Sequence, residues 1–181
     1  MESHPILGHI AHYFLAINLQ GTAFLVVALV VLLLLTFTIS GAEVALFSLT
    51  KKDINILKTK KNNSAKRVVS LLEEPKEVYA SLMITGTFVN ICIIVLANYL
   101  ISQFIPFNDL GAIVEILVKV IIIAFFLVFF GKILPKVWAS QHNLWFAYGA
   151  SMVVEPLHLL LRRISKWVVR VADRIGKKAG A

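Results

Sequence analysis

Apolar residues in this chain do not alternate with polar ones; they come in long runs. No charge falls between Gly21 and Ala42, none between Val78 and Ile101, and none between Val120 and Gly131. A bilayer core about 30 Å thick needs about 20 apolar residues of helix to cross it. The pattern therefore predicts spanning helices over about residues 21–46, 78–101 and 112–137. The expected fold class is an all-α membrane protein. It has three transmembrane helices, with cytoplasmic juxtamembrane and interfacial helices, in a single transmembrane domain over 1–181.

The connections carry a different pattern. Over 50–76, Ile54, Leu57, Val68, Val69, Leu71 and Leu72 recur at helical spacing on either side of "KKNNS". This predicts two short amphipathic helices with a turn between them. Pro75 suits the start of the second span, where its missing N–H costs nothing. A fourth apolar stretch, "NLWFAYGASMVVEPLHLLL", is interrupted by Glu155 and Pro156 and flanked by Trp145, Tyr148 and Trp167. Aromatic flanks and a polar interruption suit a helix lying in the interface. Residues 143–178 are read that way, and a fourth span is the competing reading.

Charge orients the spans. Residues 1–20 hold no Lys or Arg and form the external segment, and "SQFIPFNDLG" holds none either. The 50–76 loop and the tail from Arg162 to Lys178 are basic. Short basic loops stay cytoplasmic, so the N-terminus is expected outside and the C-terminus inside. Charged residues are 15% of the chain and the net charge is +8. With no aromatic–basic motif beside it, that charge points to anionic lipid headgroups and not to nucleic acid. Cys92 is the single cysteine and cannot form an intrachain disulfide. No nucleophile–base pair, zinc motif or phosphate loop is present, so no enzyme is expected. His4, His9 and His12 sit in the external segment, where an interfacial helix is a better reading than a metal site. Glu115 and Lys119, four apart, form an expected intrahelical pair.

Polar residues inside the spans are the candidate chemistry. Thr36 and Ser40 are four apart on one face of the first helix, and Glu43 follows three later. Asn90 lies near the middle of the second span, four after Gly86. In the third, Pro135 cannot donate to the Gly131 carbonyl. Hydroxyl, amide, carbonyl and carboxylate oxygens are what Mg²⁺ prefers, and broken membrane helices supply such groups to cations. Helix–helix packing accounts for the same residue types. Both readings stand at this point.

Three motifs in order, "TFTISGAEVALFSLTKKDI", "ITGTFVNICI" and "FGKILPKVWA", resemble the transmembrane domain of the CorB/CorC–cyclin M magnesium transporters. The resemblance covers about residues 21–160. It implies a homodimer in a bacterial inner membrane, a Mg²⁺ site between helices, and Na⁺ as coupling ion. Carried over by motif, the site residues are Thr36, Ser40, Asn90 and Glu43, with the Gly131 carbonyl freed at the Pro135 helix break. Three positions depart: Thr36 stands for a serine and Thr87 for an asparagine, both mild, and the third changes the chemistry. Lys132 stands where the family motif has a glutamate, and an ammonium cannot ligate a metal. Lys132 either fills the cation's place and pairs with Glu43, or reaches the inner headgroups. The family's cytoplasmic nucleotide-sensing modules are absent from this sequence. The expected function is a magnesium transport domain with a site altered by Lys132. The alternative is a non-transporting scaffold or accessory subunit, like the gliding-motility branch.

Overall fold

The fold is given by a computed structural model. It describes the backbone of residues 5–105 and 111–179 and the side chains of 20–105 and 111–175. His4 and the side chains of His9 and His12 lie outside the described residues. The elements are α1 (Pro5–Phe47), α2 (Lys51–Thr59), α3 (Asn63–Glu73), α4 (Pro75–Phe104), α5 (Ala112–Val128), a π-helical turn (Phe129–Ile133), α6 (Leu134–Gln141) and α7 (Asn143–Ala179). No strand occurs among the described residues. The expected external segment is not a separate element, since α1 runs unbroken from Pro5 into the first apolar run.

Local chemistry sets the boundaries. Thr50 caps α2 with a reciprocal pair. Its hydroxyl accepts from the Asp53 N–H at 3.3 Å, and the Asp53 carboxylate accepts from the Thr50 N–H at 2.9 Å. Asn62 caps α3 by accepting from the Ser64 N–H at 3.2 Å. Pro75 occupies the first turn of α4.

Among the described residues, four helices are long and apolar enough to cross a membrane: Gln20–Phe47, Pro75–Phe104, Ala112–Gln141 and Asn143–Ile175. The fourth comes from α7, which Glu155 and Pro156 do not end. Val154 and His158, on either side of the proline, are both buried. Packing there holds the helix through one lost backbone bond.

The core gathers at the α2-proximal end of α1. Ile39, Ala42, Ala45 and Leu46 meet Val68 and Leu71 of α3, Val78 and Leu82 of α4, and Ala147, Ala150 and Val154 of α7. Phe24, Val27, Val30 and Val31 of α1 are exposed, as are Phe125 and Phe129 beyond it. A surface this apolar is what lipid tails cover. Gly41 lets α7 approach α1: a Cβ there would stand 2.2 Å from the Phe146 ring. Phe146 is itself held between the rings of Phe37 and Trp138.

Candidate cation cavity

Thr36 and Ser40 lie on one buried face of α1. The Thr36 hydroxyl donates to Asn90 Oδ1 across the α1–α4 contact, at 3.4 Å. Gly131 packs on the same threonine, since a Cβ at 131 would stand 3.0 Å from Thr36 Cγ2. Thr36, Asn90 and Gly131 thus form one closed layer between three elements.

One turn further along α1, Ser40 and Glu43 open into a cavity of about 220 Å³. Gly86 and Thr87 of α4, Lys132 of the π turn and Lys136 of α6 complete its polar and glycine lining. The Ser40 hydroxyl is buried and has no hydrogen-bond partner among the described residues. The five expected ligand positions therefore fall in two adjoining layers, and only Ser40 and Glu43 face the cavity.

The third apolar run is not one regular helix. The Leu134 N–H donates to the Phe129 carbonyl, five residues back, and Pro135 follows, buried, with no N–H to give. A π turn of this kind widens the helix and is frequent at functional sites. It brings Gly131 against Thr36 and turns Lys132 to the cavity.

The expected pair between Lys132 and Glu43 is not formed. Glu43 pairs with Lys136, Nζ to Oε2 at 3.2 Å. Lys132 and Lys136 are four apart on one face, but Lys136 lies a turn deeper toward the Glu43 end of α1. Lys132 lines the same cavity and makes no hydrogen bond or ion pair among the described residues. Its ammonium and the buried Ser40 hydroxyl are thus the uncommitted polar groups of the site.

A second polar cluster lies where α4 begins. Ser81 Oγ stands 3.0 Å from His158 Nδ1 and 2.7 Å from Ser165 Oγ. Glu74 binds Arg162 at 2.7 Å and has Lys166 at 3.6 Å. The Arg162 guanidinium foremost, and a hydrogen bond with Glu77, hold the Glu74 carboxyl down at about 2. Glu74, Glu77 and His158 offer ligand atoms within 4.8 Å of one another, but Arg162 and Lys166 already neutralise the carboxylates. Four-residue spacing of His158, Arg162 and Lys166 marks one helix face in the sequence; their partner on α4 is not legible there. Lys119 is buried, pairs with Glu115 as its spacing implies, and also donates to Ser102 Oγ at 2.6 Å.

The motifs and their arrangement meet an independent match. A model of the cyclin M transmembrane N-terminal domain fits residues 27–181. The chain belongs to this family. It is 25% identical over 136 residues to the UPF0053 inner membrane protein YfjD of Escherichia coli, covering 75% of this chain and 30% of that protein. It is 26% identical over 133 residues to a UPF0053 protein of Haemophilus influenzae, covering 74% of this chain and 30% of that protein. The chain thus spans about a third of the length of the curated relatives it matches. Cyclin M membership and the apolar helices together make it an integral membrane protein.

Proposed function

We propose that this cyclin M domain is the membrane part of a divalent-cation transporter with Mg²⁺ as substrate, and that Lys132 competes with the ion for its cavity. The observation that carries this reading is the Lys132 ammonium without an ion pair, in a cavity that Glu43 and the unpartnered Ser40 hydroxyl also line. Thr36, Ser40, Asn90, Glu43 and the Gly131 carbonyl are the proposed ligands. The ion must displace Lys132 from the lower layer before it reaches Thr36 and Asn90. Na⁺ is the proposed coupling ion, and the active form a homodimer in a bacterial inner membrane. A second reading is a non-transporting scaffold. The Lys136–Glu43 pair favours it, because the carboxylate a metal would need is already neutralised.

Three spans, with α7 lying in the cytoplasmic interface, are part of the proposal. Contacts along α7 support this. His158, Arg162, Ser165, Lys166 and Asp173 all reach α4 or its cap between Glu74 and Ser81. Over residues 158–173, about 22 Å at helical rise, the polar contacts of α7 with α4 thus all fall at the start of α4. A helix spanning beside α4 would advance along it. Cysteines at 62 and 178, in a Cys92→Ala background, are expected to label only from the cytoplasmic side and one at 109 only from outside. External labelling at 178 would contradict three spans.

Flux tests the transport claim. Proteoliposomes holding the chain as written are expected to move Mg²⁺ slowly against a fluorescent indicator, and Lys132→Glu to move it faster. Equal flux in both would remove Lys132 from the pathway. No flux in either would favour the scaffold.

A further inference from the structure

The lysine-lined cavity and the groove beside it fit a ligand with an anionic head and an apolar tail. Two lysines face one carboxylate in the cavity, and Glu43 is engaged by Lys136. That leaves the Lys132 ammonium and the buried Ser40 hydroxyl as donors with no acceptor among the described residues. A phosphate oxygen accepts from both. Met83 and Thr87, which form one wall of the cavity, also form the wall of a larger groove of about 690 Å³ between α4 and α7. Tyr79, Phe88, Ile91 and Val168 make that groove apolar.

We propose that the chain binds one anionic phospholipid, its phosphate between Ser40 and Lys132 and an acyl chain along the α4–α7 groove past Met83. A free phosphate would leave the groove uncovered. A second copy over the groove would leave the Lys132 charge uncompensated. The shared wall at Met83 and Thr87 favours a ligand that reaches both. The inference rests on cavity charge and groove shape; it shares Ser40 and Lys132 with the proposed cation site, so the assay is run without Mg²⁺ and its outcome does not depend on that reading.

The chain, purified in detergent, would be offered equal amounts of phosphatidylglycerol and phosphatidylcholine and the bound lipid read by native mass spectrometry. A preference of about fivefold for phosphatidylglycerol is expected from one lysine near a lipid of net negative charge, since the choline of phosphatidylcholine offsets its phosphate. Lys132→Met should lower the ratio by about that factor, leaving only the contribution of the basic tail. Ser40→Ala, which removes only the buried hydroxyl, should lower it by a smaller factor, and it decides the matter if Lys132→Met does not fold. Gln103→Leu, at the far end of α4 and remote from the cavity, should leave it unchanged. An unchanged ratio in folded Lys132→Met, or in Ser40→Ala where Lys132→Met does not fold, would overturn the proposal. So would glycerol phosphate binding as tightly as the diacyl lipid. Copy-to-copy crosslinking at a cysteine in position 88, in a Cys92→Ala background and with phosphatidylglycerol excluded, would assign the groove to a second copy and overturn it too.

Discussion

Gly41→Ala probes the packing of α7 on α1 in the core at the α2-proximal end of α1. The new Cβ would lie 2.2 Å and 2.4 Å from two ring carbons of Phe146, where ordinary contact begins at 3.4 Å. The ring must withdraw by more than about 1 Å, a strain of the overpacking kind. It has little room, being 7% exposed with the Phe37 and Trp138 rings centred 6.1 Å and 6.0 Å away. Overpacking of this kind costs about 1–3 kcal/mol. Alanine in a helix interior recovers about 0.5–1 kcal/mol of that relative to glycine. Taking the middle of both ranges, the expected net loss is about 1 kcal/mol, read as a lower midpoint in a thermal melt followed by tryptophan fluorescence in detergent. In a Phe146→Leu background, with the ring gone, the same Gly41→Ala change should be neutral or stabilising. A single mutant that melts at or above the parent would refute the close approach of the two helices.

The Glu43 pair gives a second prediction. Its side chains are 25% and 42% exposed, so a cycle of Glu43→Gln with Lys136→Met should show a coupling of about 0.2–1 kcal/mol. Replacing Lys136→Met by Lys132→Met in that cycle should give a smaller coupling, with no direct ion pair to lose; a value at or above the Lys136 one would mean Glu43 prefers Lys132. Glu74 gives a third. Its carboxyl is depressed from 4.5 to about 2 by Arg162, so its stabilising contribution is complete above about pH 4.5 and is lost as pH falls toward 2. The melting midpoint should drop across that window, and Arg162→Gln should flatten the drop. An identical acid profile in the variant would remove Arg162 as the cause.

The spans were legible because bilayer thickness fixes a length and lipid excludes charge. Gly21–Ala42 and Val78–Ile101 need no tertiary information to be recognised. The α1 face of Thr36, Ser40 and Glu43 was legible from helical spacing alone, as was the Glu115–Lys119 pair. The partner of Glu43 was not. Lys132 and Lys136 share a face, and which one reaches Glu43 depends on how far the third run slides along α1. That depth is set by the π turn and by Gly131 seating on Thr36. Helix α7 was misleading for a related reason. Glu155 and Pro156 read locally as an interruption, yet burial of Val154 and His158 carries the helix through them. The Glu74–Arg162–Ser81–His158 seam joins residues more than seventy positions apart, so no local pattern announces it.

Titration of Mg²⁺ into the purified chain, followed by isothermal calorimetry in nanodiscs, tests the central claim most directly. If Lys132 competes for the cavity, the chain as written should bind Mg²⁺ weakly or not at all. Lys132→Glu should bind it measurably, with Glu43→Gln weakening that gain. Tight Mg²⁺ binding by the chain as written, unchanged in Lys132→Glu, would contradict the account.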